Sequence, residues 1–329
     1  LWRVSTELQQ SYHGSTNAWQ QRNVYTIQNS AKKLFKNASL STQKPADSQS
    51  LVNYVLGDKS EEGNKWRKRT NIMGTVINSS PITILPPDKE LKLKCRYNAT
   101  AESRETYYAA AANDGMLHIF NANTRKEVLA YIPSTALPKL EEMAIPNATH
   151  QFLNDGLITY ADVCIGNQAR SVVLGSAGRG GASLYALDVT DLSSAGQNNI
   201  MWEFSNADDP DLGLTISKSS IVNNGNGEPI VILSSGYNNA SGRGSLFILN
   251  INNSGRWSSS NYQKIHLGNS GVGTPFVYDE DKDGIPERVY VGDYDGNVWR
   301  IDYDKTSNKW AVGYGGRPMF TTDSKAPIT

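Results

Sequence analysis

Four times along this chain, a short aliphatic or β-branched run meets a turn rich in Gly, Asn, Asp or Ser, then a second apolar run that ends in Asn or Asp. The copies are Tyr108–Asn121 (YAAAANDGMLHIFN), Val172–Asp188 (VVLGSAGRGGASLYALD), Ile230–Asn250 (IVILSSGYNNASGRGSLFILN) and Arg288–Asp302 (RVYVGDYDGNVWRID). Short apolar runs bounded by turn residues read as β-hairpins, and a hairpin that recurs belongs to a repeat architecture. The second runs stay apolar around Leu117, Leu184, Leu246 and Val298, as strands buried on both faces do. Asn113-Asp114-Gly115 and Asp295-Gly296-Asn297 supply the residues that tolerate positive φ in tight turns. The copies recur about every 50 to 70 residues, the span of a four-stranded propeller blade with loop insertions. The predicted fold class is therefore all-β, a β-propeller in preference to a sandwich.

A fainter repeat precedes some hairpins: Ile77–Ile82 (INSSPI), Ser217–Val222 (SKSSIV) and Gly273–Val277 (GTPFV). Pro81 and Pro275 suit the first residue or edge of a strand, where a missing N–H costs little. Two segments read as short helical insertions between blades. Ala46–Leu56 has a polar start with Leu51, Val52, Val55 and Leu56 at helical spacing, and Lys139–Met143 follows Pro138. Residues 1–60 are polar and carry no clear repeat, and are expected to supply a partial blade that closes the ring. The whole of 1–329 is read as one propeller domain, because all-β units of this length often form a single domain.

The segment with the most specific chemistry is Asp279-Glu280-Asp281-Lys282-Asp283-Gly284-Ile285-Pro286-Glu287. Counted from Asp279, carboxylates stand at positions one, three, five and nine, with glycine at six. A hard cation that takes several oxygens needs alternate side chains on the concave side of a tight turn, and glycine permits the bend. The expected ligands are Asp279, Asp281, Asp283 and Glu287 through carboxylates and Ile285 through its backbone carbonyl, and the expected cofactor is Ca²⁺. Mg²⁺ fits less well because it keeps more of its water. Position twelve is Tyr290 and β-rich sequence flanks the loop, so this is a shorter loop than an EF-hand. The bland alternative is a solvated acidic turn. Asn223–Glu228 occupies the matching place one repeat earlier but lacks the carboxylates, so a turn is expected there. Asp293, Asp295 and Asp302 read as turn and strand-end residues.

Lys plus Arg and Asp plus Glu number 32 each, so no global field draws this chain to nucleic acid or to an anionic membrane. No run approaches the ~20 apolar residues that span a bilayer. Leu1-Trp2-Arg3-Val4 lacks the plan of a signal peptide and there is no initiator Met, so the chain reads as part of a longer protein. Two cysteines, Cys95 and Cys164, are expected to bridge if the domain is secreted, a reduced pair being the alternative. His13, His118, His150 and His266 are scattered without metal-ligand spacing, and His118, on a repeat strand, reads as a packed residue. No nucleophile elbow, phosphate loop or reactive-cysteine motif is present, and Arg179-Gly180-Gly181 reads as a hairpin turn.

Taken in order, LVNYVLGD at 51–58, NIMGTVINSSP at 71–81, AANDGMLHIFNA at 111–122, KEVLAYIPS at 126–134 and DEDKDGIPERVYVGDYDGNVWRID at 279–302 closely resemble the C-terminal domain of the PilC/PilY family of type IV pilus tip-associated adhesins. The Lys- and Asn-rich character looks more like the PilC proteins of the Neisseria and Kingella group. The resemblance implies a modified propeller of about seven blades, akin to those of quinoprotein dehydrogenases. It implies a place at the cell surface, pilus tip or outer membrane and a role in pilus biogenesis, twitching motility, host-cell adherence and virulence. Implied partners are the pilus, through minor pilins, and a host-cell surface receptor. In the family, calcium at a loop matching Asp279, Asp281, Asp283, Ile285 and Glu287 opposes pilus retraction. The RGD tripeptide of some relatives is absent here.

The leading reading is a calcium-dependent pilus-tip adhesion and regulatory module, not an enzyme. A scaffold joining an N-terminal adhesin domain to the pilus is the non-adhesive rival. A pyrroloquinoline-quinone dehydrogenase is the enzymatic one, disfavoured because Cys95 and Cys164 are not vicinal as in those enzymes.

Overall fold

In the computed structural model, residues 4–13, 17–87 and 95–329 are described, and the opening Leu1–Arg3 lies outside them. Among the described residues the strands form four sheets. The first holds β1 (Val24–Gln28), β2 (Ala31–Leu34), β3 (Ile82–Ile84), β4 (Tyr107–Ala111), β5 (Leu117–Asn121) and β6 (Glu127–Ile132), in the order β2-β1-β6-β5-β4-β3. The second holds β7 (Ile158–Ile165), β8 (Gln168–Ser176), β9 (Ser183–Asp188) and β10 (Ile200–Ser205), ordered β10-β9-β8-β7. In the third, β11 (Ser220–Asn223), β12 (Pro229–Ser234), β13 (Ser245–Asn250) and β14 (Tyr262–His266) follow chain order. So do β15 (Phe276–Tyr278), β16 (Arg288–Gly292), β17 (Asn297–Asp304) and β18 (Lys309–Val312) in the fourth, where β19 (Phe320–Thr321) also pairs with β17.

Each repeated hairpin is a real one: β4–β5, β8–β9, β12–β13 and β16–β17 pair antiparallel. The fainter repeat supplies β3, β11 and β15, which pair with the first strand of the hairpin that follows. The hairpins start at Tyr107, Gln168, Pro229 and Arg288, about 60 residues apart. At that period the described residues hold four sheets, where the resemblance implies about seven blades.

The near-continuous apolar runs follow from a stack in which each inner sheet is covered on both faces. In β9, Tyr185 and Leu187 enter the core shared with the first sheet, while Leu184 and Ala186 enter the core shared with the third. Gly175 on β8 sits opposite Tyr185, and a Cβ there would lie 2.3 Å from the Tyr185 ring, so only glycine lets the ring lie across the strand. Trp202, Phe204, Phe247, Trp257 and Tyr262 knit the second and third sheets, with the Trp202 and Trp257 indoles donating to the carbonyls of Ile251 and Glu203. Ile232, Leu246, Val289, Val291, Trp299, Ile301 and Trp310 fill the junction of the third and fourth.

The far face of the first sheet is closed by the N-terminal region. Trp19, Phe35, Leu51, Val52, Tyr54, Val55, Leu56 and Trp66 pack against Ala130, Ile132 and Leu140. The expected helices are present as α1 (Ser48–Leu56) and α2 (Leu140–Ala144), each entered through a 3₁₀ turn. Within residues 1–60, β1 and β2 form a hairpin whose β1 runs parallel to β6, so this region extends the first sheet.

This junction holds a buried polar group. His118 is fully buried, as a packed residue should be, but between two carboxylates: Nδ1 lies 2.7 Å from Glu127 Oε1 and Nε2 3.1 Å from Asp114 Oδ2. Glu127 also accepts from Arg22 Nε and Nη2, both at 2.8 Å, and Asp114 accepts from the Gly74 N–H at 2.8 Å. Burial opposes charge on the imidazole, but the flanking carboxylates outweigh it and raise His118 to about 9. Burial likewise pushes Glu127 up, yet Arg22 and His118 prevail and bring it to about 2.

Cys95 and Cys164 are joined in a disulfide with Cα atoms 5.7 Å apart. It ties the β3–β4 connection to β7, and beside it the Ala169 N–H donates to the Arg96 carbonyl at 2.9 Å. No helix among the described residues is long and apolar enough to cross a membrane.

Candidate metal centre

The acidic segment is the loop from β15 to β16, closed by the Tyr278–Arg288 pair. Its shape comes from side chains that fold back on the backbone. Asp279 Oδ2 accepts from the Gly284 N–H at 2.9 Å, Asp281 Oδ1 from Asp283 at 3.2 Å, Asp283 Oδ1 from Ile285 at 2.7 Å and Glu287 Oε2 from Glu280 at 2.8 Å. Gly284 takes a φ of 87°, a left-handed conformation that side-chain-bearing residues resist, and this turns the chain back on itself. Ile285 packs its side chain against the core between the third and fourth sheets, and the Glu287 carbonyl accepts from Tyr303 on β17 at 2.9 Å. The acidic stretch is thus anchored to the sheet at its C-terminal side.

One carboxylate oxygen from each of Asp279, Asp281, Asp283 and Glu287 falls within a set whose members all lie within 4.8 Å of one another. Asp281 and Asp283 are exposed, and Asp279 and Glu287 half-buried. Glu280 points elsewhere, to Arg288 at 3.0 Å, so the alternation read from the sequence separates loop-facing from outward carboxylates. Asp279 Oδ1 is buried and has no hydrogen-bond partner among the described residues. A buried carboxylate oxygen left without a donor is costly, and a cation satisfies it. The donor set, all oxygen and mostly anionic, suits a hard divalent cation, so the residues present fit calcium.

One group in the site is not apparent in the sequence. Lys305, in the turn from β17 to β18, places Nζ 2.9 Å from Glu287 Oε1, 3.4 Å from Asp283 Oδ2 and 3.6 Å from Asp281 Oδ2. Its hydrogen bond to Glu287 holds the ammonium above the usual lysine range. In return, the Lys305 contact and the Glu280 N–H hold Glu287 below its ordinary value, and Asp283 is lowered by the Ile285 N–H and by Lys305.

Of the other acidic residues, Asp293 forms a turn as expected, whereas Asp302 lies within β17 rather than at a strand end and is held in an ion pair. Asp293 accepts from the backbone of Asp295 and Asn297 and from the Trp299 indole at 2.7 Å, and Asp302 pairs with Arg300 at 2.6 Å. Asn224 closes the β11–β12 turn by accepting from Asn226 and Glu228.

Comparison with known proteins agrees with this arrangement of sheets. A type IV pilus biogenesis factor PilY1 homolog of Xylella fastidiosa is 35% identical over 339 residues, covering 97% of this chain and 26% of that protein. The type IV pilus biogenesis factor PilY1 of Pseudomonas aeruginosa strain PAK is 29% identical over 313 residues, covering 84% of this chain and 26% of that protein. The chain therefore spans about a quarter of the length of these relatives. The crystal structure of the Pseudomonas aeruginosa PilY1 C-terminal domain superposes with a TM-score of 0.55 at 27% identity, over 69% of this chain and 48% of that one. Residues 73–313, well over half of the sequence, match the family described as the PilY1 β-propeller domain, and the chain belongs to that family.

Proposed function

We propose that this domain acts in type IV pilus biogenesis as a calcium-binding module at the cell surface or pilus tip. In this reading it regulates pilus extension against retraction, and with it twitching motility and host-cell adherence. Family membership supports the pilus role, and the relatives named above are pilus biogenesis factors. The observation that carries the calcium reading is the buried, partnerless Oδ1 of Asp279 beside the other three carboxylates. Asp279, Asp281, Asp283 and Glu287 would hold the ion, with the Ile285 carbonyl as a further ligand. Bound there, Ca²⁺ supplies a fixed double positive charge that offsets the carboxylates and orders the loop.

The chain's own part is mechanical. The loop joins two paired strands and is anchored through Ile285 and Glu287, so ordering it stiffens the edge of the fourth sheet; contact with minor pilins or a host receptor is the role this reading assigns to that edge. This is a binding role outside the cytoplasm, with no catalytic step assigned.

Calorimetric titration of the chain with Ca²⁺, beside the Asp281→Ala/Asp283→Ala variant, tests it, together with surface pili, twitching and cell attachment in a piliated host. One ion bound by the wild type, none by the variant, and a parallel change in piliation are expected. If neither protein binds calcium, the loop is an acidic turn and the mechanism is wrong.

A further inference from the structure

Lys305 comes to this site from a different hairpin, and its position bears on how the loop would take up an ion. Its ammonium touches Asp281, Asp283 and Glu287, three of the four clustered carboxylates, at 3.6, 3.4 and 2.9 Å. Ligand atoms of these residues lie within 4.8 Å of one another, so a cation in contact with three of them stands against the cluster and takes up part of its carboxylate charge. Asp279 is the member that Lys305 does not pair with, and it keeps the partnerless Oδ1.

We propose that Lys305 is a tethered counter-cation that competes with calcium for the loop and sets its affinity; the inference rests on the calcium reading above. An ammonium and a dication cannot sit in the same small space between the same carboxylates, and at such separations their like charges repel. Metal entry therefore requires Lys305 to leave. It can do so: the side chain is 44% exposed and stands on a turn open to solvent. Without metal, the ammonium limits the repulsion among the four carboxylates and keeps the loop near its binding shape. The exchange has a mechanical consequence, because the same turn carries Asn308. Asn308 Oδ1 accepts from the Tyr303 hydroxyl, which in turn accepts from the N–H of Gly225, in the β11–β12 turn of the third sheet, at 2.5 Å. Expulsion of Lys305 thus frees a side chain of a turn that is itself held at the junction of the third and fourth sheets.

The test is Ca²⁺ calorimetry on the 329-residue chain and on Lys305→Met, Lys305→Arg and Asp281→Ala/Asp283→Ala, with thermal unfolding of each in chelator and in calcium. An exposed ion pair is worth a factor of up to about five, and three pairs sharing one ammonium give about tenfold. Lys305→Met is expected to bind calcium about tenfold more tightly, to melt lower than wild type in chelator and to gain more from calcium. Lys305→Arg, which keeps the charge, should stay within about twofold of wild type. Equal or weaker binding by Lys305→Met, or an equal gain in Lys305→Arg, overturns the proposal while calcium binding by the wild type stands. If no protein binds calcium, Lys305→Met included, both readings fall together.

Discussion

Truncation of Glu127 to alanine should be among the most damaging single changes to this chain. The side chain is 2% exposed and its two oxygens take three contacts from cationic groups: Arg22 Nε and Nη2 at 2.8 Å and His118 Nδ1 at 2.7 Å. Arg22, His118, Asp114 and Glu127 together form a neutral quartet. Without Glu127 two buried cations share the single carboxylate of Asp114, and breaking a buried pair by removing one partner costs about 3–5 kcal/mol. For a chain of this size that corresponds to a fall in Tm of roughly 4–7 °C. Urea unfolding at pH 7 followed by tryptophan fluorescence is the assay, since Trp19 and Trp66 lie in the core beside the quartet. Glu127→Gln, which keeps the shape and one acceptor, should lose about half as much.

The pH profile supplies a second reading of the same experiment. His118 is raised from 6.5 to about 9, so its contribution is fully present below 6.5 and is lost as pH rises through 9. Glu127 is depressed from 4.5 to about 2, so its contribution is present above 4.5 and is lost as pH falls toward 2. The quartet's stabilisation should be level only between about pH 5 and 6.5, decline from there through pH 9, and decline below pH 4.5 toward pH 2. In Glu127→Ala the alkaline decline should be smaller and be complete at lower pH, because His118 keeps only one of its two carboxylates and its folded-state pKa falls toward 6.5. A loss below about 1 kcal/mol in Glu127→Ala, with an unchanged pH profile, would refute the view that these charges depend on one another.

Two further outcomes test other parts of the fold. The Cys95–Cys164 bridge closes a loop with a sequence separation of 69, and Cys95→Ser/Cys164→Ser should lower unfolding stability by about 4 kcal/mol, measured by the urea midpoint with and without reductant; reductant should have no effect on the variant. Gly175→Ala would place a methyl 2.3 Å from the Tyr185 ring between two packed sheets and should cost about 1–3 kcal/mol by thermal unfolding, whereas Gly255→Ala, in open space and without a positive φ, should leave it nearly unchanged.

The residues and their order were enough to determine the four hairpins, the strands that precede three of them, both helical insertions and the acidic loop. All are local. A hairpin is dictated by alternating apolar runs and the turn between them, and the Asp279–Glu287 loop by the spacing of carboxylates around Gly284, so neighbours in sequence are neighbours in space. Even the burial of β9 on both faces could be read from its unbroken Leu184-Tyr185-Ala186-Leu187 run. The tertiary structure decided what stands beside what. Nothing near Lys305 marks it as a partner of Asp283, 22 residues away; it arrives there because β16, β17 and β18 pair in register and bring one turn over another. Arg22 meets Glu127 105 residues later only because β1 joins β6 in parallel, and His118, a packed residue by its place on a strand, becomes a charged one only between those neighbours. Local patterns select conformations through short-range sterics and hydrogen bonding; charge pairing and metal affinity depend on distances that exist only after the sheets have stacked.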